Sequence, residues 1–376
     1  MNNVRPLSFF QGSLPTLLQG LVTPTPDIKK RVETDTKALM SSFGTLSSSS
    51  SSFSTPSWMI EADLVITRAN REGFPLRLGA GGAGSVYLGF FLDMAVAKKV
   101  FHQDEDFDAR EVELCFQLRH PNIIRLLGAS AAVSDLPPCL YFELADGPSL
   151  KRVFSSAMPV PAELKMKISR EIASGMTYLH SQNPIIIHRD LKPDNIMLTS
   201  GLQVKIIDFG LSVFVKASQS GKTNSKPGAG TEPYSSPEIL LLNRTIDHKV
   251  DVWSFGMTLY ELWSGIAPWR VPGRPGEMLF QSIPEALKEK ERPFLDIGAI
   301  PAELKKMIAG CWNEDAKDRP EFVSLYRELC VSEFEEMSSH LKQLSLGNSS
   351  SSSSLQGLFF IFFALILNCE LIVCLC

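Results

Sequence analysis

Long basic blocks are missing from this chain. Lys and Arg number 37 against 41 Asp and Glu, a net charge of -4, so the electrostatic footprint of a nucleic-acid-binding protein is not there. Paired cysteines are missing too: Cys115, Cys139, Cys311, Cys330, Cys369, Cys374 and Cys376 are scattered without metal-type spacing. The first 30 residues lack the basic start and compact apolar stretch of a secretory signal. A reducing, cytosolic compartment fits these absences best. An unbroken apolar run of about 20 residues, the length a membrane span takes, is also absent.

What is present divides the chain. Its 376 residues, 44% hydrophobic and 21% charged, can bury one large core or two smaller ones. Residues 1–56 are rich in Ser, Thr and Pro and include the run Ser47 to Ser52. That composition buries too little apolar surface to offset ordering entropy, and it reads as a flexible arm. A Ser-rich linker over 346–354 separates the body, 57–345, from the tail "LQGLFFIFFALILNCELIVCLC" over 355–376. Leu358 to Leu367 is apolar, but Asn368 and Glu370 follow. A carboxylate at the bilayer centre costs on the order of 2.5 to 3.5 kcal/mol. The tail reads as a C-terminal membrane anchor, as a helix packed on the body, or as the product of a mistaken gene model. Val373 rules out a prenylation box.

Inside the body, "RLGAGGAGSVYLGFFLDMAVAKKV" interrupts a strand-like run with Gly79, Gly81, Gly82 and Gly84, which predicts a hairpin whose turn has almost no side chains. Backbone there can approach a phosphate closely. A strand rather than a helix follows the glycines, which excludes the dinucleotide fingerprint, and the GK[ST] ending of a P-loop is lacking. Next, "DFDAREVELCFQLRH" places Val112, Cys115, Phe116 and Leu118 at helical spacing with Glu111 beside them.

The stretch "IIIHRDLKPDNIML" puts Asp190, Asp194, Asn195, Arg189 and Lys192 between two apolar runs. Ile185–Ile187 and Ile196–Leu198 are expected to pair as a short hairpin holding that polar loop. "VKIIDFGLS" adds a further strand ending in Asp208. Two Asp and an Asn on rigid strand ends make oxygen ligands for a hard cation and a base for a hydroxyl proton.

Glycine loop, VAxK-like strand, helix Glu, HRDLKPDN, DFG and a later PE pair, in that order, resemble the eukaryotic protein kinases. "SWMIEADLVI" and "CWNEDAKDRPEF" are similar to the tyrosine-kinase-like group of serine/threonine kinases, Raf-like or mixed-lineage-like. The resemblance covers about 270 residues in all and implies the α+β bilobal kinase fold: a small β-rich lobe with one key helix over about 57–143, and a larger, mainly helical lobe over about 146–345. It implies ATP and Mg²⁺ as cofactors, with Gly79, Gly81 and Gly84 over the phosphates and Val86 on the adenine. Asn195 and Asp208 would hold the metal. Asp190 would accept the proton of the substrate hydroxyl, and Lys192 would reach the transferring phosphate. "HRDLKPDN" resembles serine/threonine kinases, whereas tyrosine kinases usually carry "LAARN" or "LRAAN" there. Protein substrates bearing Ser or Thr follow, and a pseudokinase scaffold that binds nucleotide and partners is the rival.

The strand lysine is Lys98 or Lys99. The literal VAxK match favours Lys99, while the spacing from Val86 to Lys98 matches Raf-like kinases without a gap. The reading adopted is Lys98, which puts Val96 on the nucleotide side; either lysine would pair with Glu111. "LYFELADG" resembles the hinge, with Phe142 as gatekeeper, Glu143 and Ala145 presenting backbone to the adenine, and Met197 among the nucleotide contacts. Cys115, Leu126, His188 and Phe209 match the stacked apolar residues of the active state. Ser218, Ser220, Thr223 and Ser225 are candidate sites for an upstream activating kinase, because Arg189 precedes the catalytic Asp. Thr231 matches the family threonine beside that Asp. Glu238 and Arg319 match a buried ion pair, and Asp251 the carboxylate that braces the HRD backbone. "RVPGRPGEMLF" reads as a surface loop.

Overall fold

Strands with long apolar alternation come first in the chain and a run of helices follows. The computed structural model describes residues 56–81, 84–102, 109–132, 137–156, 159–209, 212–215, 230–241, 246–297 and 300–331, with backbone alone at 109–111, 213–215 and 275. The candidate loop sites Ser218, Ser220, Thr223 and Ser225, the arm and the tail lie outside the described residues. Among the described residues no helix is long and apolar enough to cross a membrane. Two compact units emerge: one runs up to Arg119 and includes Ile124–Ala145, and the other takes His120–Ile123 and everything from Asp146 onward.

The first unit is an antiparallel sheet with one helix. Its strands are β1 (Val65–Thr67), β2 (Arg77–Ala80), β3 (Gly84–Phe91), β4 (Met94–Phe101), β5 (Leu126–Ser130) and β6 (Cys139–Glu143), and its helix is α1 (Ala109–Gln117). The order is β1-β3-β4-β6-β5, with β2 also on β3. Side chains alternate between the two faces, and each face has its own core. One buries Val65, Val96, Cys139 and Tyr141. The other gathers Leu126, Ala129, Leu140 and Phe142 under Trp58 and the α1 residues Val112, Cys115 and Phe116.

The turn between β3 and β4 fixes which residues share a face. Leu92 and Asp93 have φ of 45° and 68°, the two-residue, doubly left-handed turn whose twist matches that of its strands. From it the ladder runs without a shift, pairing Phe91 with Met94, Leu88 with Ala97, Tyr87 with Lys98 and Val86 with Lys99.

The second unit is mainly helical. It contains α2 (Leu150–Phe154), α3 (Ala162–His180), α4 (Pro237–Leu240), α5 (Lys249–Ser264), α6 (Ile283–Lys288), α7 (Ala302–Cys311) and a further helical stretch over 322–331. Helix α5 is buried from Lys249 to Trp263, and its polar members Lys249, Asp251, Ser254 and Glu261 are buried with hydrogen-bond partners. It stops at Gly265, whose φ of 72° and amide bond to Glu261 O make a left-handed C-terminal cap. Short strands β7 (Ile185–Ile187), β8 (Ile196–Leu198), β9 (Val204–Ile206) and β10 (Val213–Val215) edge this core.

The expected hairpin between Ile185–Ile187 and Ile196–Leu198 does not form. β7 pairs with β10 and β8 with β9, because the turn Pro193–Asn195 and the return of the Asn195 side chain onto Asp190 spend the intervening residues on a compact loop. "RVPGRPGEMLF" also differs from the expected loop: β11 (Arg270–Val271) and β12 (Arg274–Met278) pair within it. The segment His120–Ile123 joins the second unit because Ile123 bridges Ile206 and the Asn122 amide donates to Val204 O at 3.1 Å.

Candidate active site

The polar loop is built from below. Strand β7 buries Ile186 and Ile187, and the chain then turns through Arg189, whose φ of 66° is uncommon for a residue with a side chain. Asp251, fully buried in α5, supports that turn: its two oxygens accept the His188 and Arg189 amides, each at 2.8 Å. His180 Nε2 meets Oδ2 at 2.9 Å. Burial alone would raise the Asp251 carboxyl, but the His180 hydrogen bond and charge and the Arg189 amide hold it below the usual carboxylate range. His188 donates from Nε2 to Ile207 O at 3.0 Å and accepts the Asp190 amide on Nδ1 at 3.3 Å, which fixes its tautomer. Its ring lies 5.4 Å from that of Phe209.

Above this support the Asp190 carboxylate is held by three side chains. Lys192 Nζ is 2.7 Å from Oδ2, the Asn195 amide donates to the same oxygen at 3.0 Å and to Asp190 O at 2.9 Å, and the Thr231 hydroxyl donates to Oδ1 at 2.8 Å. Lys192 also contacts Thr231 Oγ1. The Ile207 amide donates to Asn195 O at 2.9 Å, so Asp208, with φ 63°, sits one residue beyond the position bonded to Asn195. An Asn carbonyl and an Asp carboxylate on adjoining strand ends suit an oxygen-seeking divalent ion. Met197 lies half-buried in β8 and bridges Ser149.

In the first unit the glycines make a tight return, with the Gly81 amide donating to Gly84 O at 2.9 Å; Gly82 and Ala83 lie outside the described residues. Gly84 is required by packing, since a Cβ there would stand 2.3 Å from Val100 O, whereas Gly79 and Gly81 have open space. Glu143 closes β6 by exchanging bonds with Arg125: its amide donates to Arg125 O and its Oε1 accepts the Arg125 amide, both at 3.0 Å. Ala145 is the last residue of the unit. Cys115 and Leu126 share a core with Phe142.

The assignment of Lys98 and Val96 to the face of Val86 is overturned by the register. Lys98 pairs with Tyr87 and Tyr141, on the face where Val96 is fully buried among Val65, Cys139 and Tyr141. Its Nζ reaches Thr67 Oγ1 at 3.4 Å. Lys99 and Ala97 pair with Val86 and Leu88 on one side and with Leu140 and Phe142 on the other, and so lie on the face covered by α1. Lys99 Nζ is 5.9 Å from the Phe101 ring centre. Glu111 lies in α1 one turn before Cys115, and its side chain is outside the described residues.

Three arrangements escaped the sequence reading. His180 as partner of Asp251 was one, the His120 ring stacked on Tyr178 at 5.0 Å another, and the bond from Tyr234 to Glu261 the third. Each joins residues far apart in the chain, so no local pattern marks it. The Glu238 to Arg319 pair, by contrast, was expected, and the two meet through both terminal guanidinium nitrogens, Nη1 and Nη2, with Arg319 1% exposed.

Residues 75–331 match the family description "Protein kinase domain". The chain belongs to the protein kinase family. Human "Receptor-interacting serine/threonine-protein kinase 3" is 32% identical over 256 residues, covering 65% of this chain and 48% of that protein. The Arabidopsis thaliana "Probable serine/threonine-protein kinase SIS8" is 34% identical over 261 residues, covering 67% and 24%. Mouse "Mitogen-activated protein kinase kinase kinase 10" is 33% identical over 273 residues, covering 68% and 27%. The match thus spans about half of such relatives' length or less. They agree with the tyrosine-kinase-like serine/threonine resemblance of the motifs, and the α+β fold, a sheet with one helix and a mainly helical unit, is that of the kinase domain.

Proposed function

We propose that this kinase domain transfers the γ-phosphoryl group of ATP to serine and threonine hydroxyls of protein substrates. The observation that carries this is the Asp190 carboxylate, fixed by Lys192, Asn195 and Thr231. Transfer of this kind asks for positioning and charge stabilisation more than for covalent chemistry. Asp190 orients the acceptor hydroxyl and takes its proton. Lys192, already bridging Asp190 and Thr231, supplies positive charge where the phosphoryl group passes. Asn195 and Asp208 are the residues that would hold Mg²⁺, which neutralises phosphate charge when bound. In the first unit Gly79, Gly81 and Gly84 would cover the phosphates with backbone and Val86 would pack on the base. Glu143 and Ala145 would offer backbone to its edge. Lys99, not Lys98, is the lysine assigned to the nucleotide, with Glu111 as its partner.

Regulation and place belong to the same proposal. Arg189 is 5% exposed, its Nε makes no hydrogen bond among the described residues, and burial lowers its pKa against the pull of Asp251. A phosphate on Ser218, Ser220, Thr223 or Ser225 would compensate that charge. The domain is assigned to the cytoplasm, with residues 355–376 as a candidate membrane anchor.

The test is Mg-ATP phosphorylation of protein substrates by the full chain, with identification of the phosphorylated amino acids. Asp190→Asn is expected to lower the rate by about 10²- to 10⁴-fold, the usual worth of a positioned base. ATP binding without transfer by the native chain, even after treatment with candidate activating kinases, would sink the enzyme reading in favour of a scaffold.

A further inference from the structure

The segment that carries Thr231 is tied down in three places beyond Asp190. Trp269 Nε1 donates to Pro233 O at 3.1 Å, Ser254 Oγ donates to Tyr234 O at 2.9 Å, and the Tyr234 hydroxyl donates to Glu261 Oε2. Glu261, in α5, is 3% exposed, and a carboxylate buried so far has to be compensated. Its other oxygen is compensated by Lys151 Nζ at 3.3 Å, reaching in from α2 with a side chain 42% exposed. Glu261, a buried carboxylate one tyrosine ring away from the Thr231 segment, is therefore closed from outside by a cation of the chain itself. Next to it Arg152 is exposed. Lys151 and Arg152 are two cations on this side, while the exposed Asp194 is the acidic group whose charge also acts on Tyr234.

The consequence concerns which peptides fit. A Lys or Arg of an incoming peptide can pair with Glu261 only by displacing Lys151, and meets like charge until it does. Acidic and small neutral side chains meet no such obstacle, and like charges in juxtaposition reject a wrong partner strongly. We propose, resting on the kinase reading above, that Lys151 is a specificity-determining residue which closes Glu261 to basic side chains, so that the substrate class is Ser/Thr peptides with acidic or neutral residues around the acceptor.

The experiment compares the full chain with Lys151→Ala and Lys151→Met on acceptor peptides carrying Glu, Ala or Arg at each flanking position. In the native chain Arg at one or more positions is expected to be disfavoured against Ala by about tenfold, and both variants are expected to recover most of that factor at the same positions, since Glu261 becomes available. The Met variant keeps the aliphatic stem and so separates charge from packing. A purely structural Lys151 would lower the overall rate or the Tm and leave the Arg-to-Ala ratio untouched. An unchanged ratio at every position in both variants overturns the proposal. Should the native chain phosphorylate nothing, the kinase reading has failed by itself. Fluorescence anisotropy of the labelled Arg and Ala peptides on the same three proteins then decides the Lys151 inference through the same ratio.

Discussion

Replacing Lys99 by Met removes the only lysine of the pair that shares a sheet face with Val86 and α1. With the proposed role of Lys99 at the nucleotide phosphates, this loss is expected to cost about 10²- to 10³-fold in kcat/KM, while Lys98→Met, which loses a 3.4 Å contact to Thr67, is expected to stay within about threefold. Kinase assays on the two variants side by side check this, and the reverse ranking would restore Lys98. His120 gives a prediction about acid. Burial, and then the nearby charge of Lys205, lower its pKa from 6.5 to about 4. The unfolded chain thus takes up the proton first. Stability is expected to fall as pH drops from 6.5 towards 4, with the loss absent above that window and complete below it. His120→Asn keeps an acceptor for the Asn122 amide, now bound to Nδ1 at 3.1 Å, and removes the titration. Its Tm should decline less than the native Tm between pH 7 and pH 4.5, and parallel declines would contradict the assignment.

Elements explain why the strand lysine misled while the residues of the HRDLKPDN loop come together as the motif implies. Asp190, Lys192 and Asn195 act together within six residues of chain, so the motif contains its own geometry. The face of a strand lysine depends instead on a turn several residues away. In a period-2 element one residue more or less in that turn exchanges the faces completely. Leu92 and Asp93 hold left-handed φ values without a glycine, so the letters gave no sign that the connection has two residues. The expected β7–β8 hairpin failed for a similar reason: apolar triplets specify strands but not partners, and partners were set by the side-chain bonds of the loop between them. Close approach of elements makes the next prediction. Gly147 lets the chain pass against β8, where a Cβ would lie 1.9 Å from Leu198 O. Gly147→Ala is expected to cost about 1 to 3 kcal/mol or more through backbone displacement, whereas Gly201→Ala, with its nearest neighbour at 3.7 Å, should stay within about 0.5 kcal/mol. Thermal or urea unfolding of both distinguishes them.

At the scale of the molecule, the order of motifs made the family and the α+β class readable, because each lobe is assembled from segments contiguous in sequence apart from His120–Ile123. What could not be read were contacts closed by the second unit's core, where α5 collects partners from the whole chain: His180 for Asp251, and Tyr234 and Lys151 for Glu261. Glu238 and Arg319 are as far apart in the chain but were marked by their motifs, and the Arg319 guanidinium is also 5.1 Å from the Trp253 ring centre and bonded to Asn313 O and Lys249 O. Arg319→Met is expected to destabilise by about 3 to 5 kcal/mol, since it leaves a carboxylate buried without its cation. The double variant with Glu238→Met should regain part of that loss in denaturant unfolding, and an additive double loss would show that the pair is not coupled.

That ion pair also sets a timetable during synthesis. Glu238 and Arg319 are 81 residues apart, so at about 5 to 20 residues per second the ribosome delivers the cation roughly 4 to 16 seconds after the carboxylate. Throughout that interval the larger unit holds an acid that it can bury only by protonating it or by waiting. A chain cut before Arg319 would have to bury Glu238 protonated or leave it in water, and either course weakens the lobe.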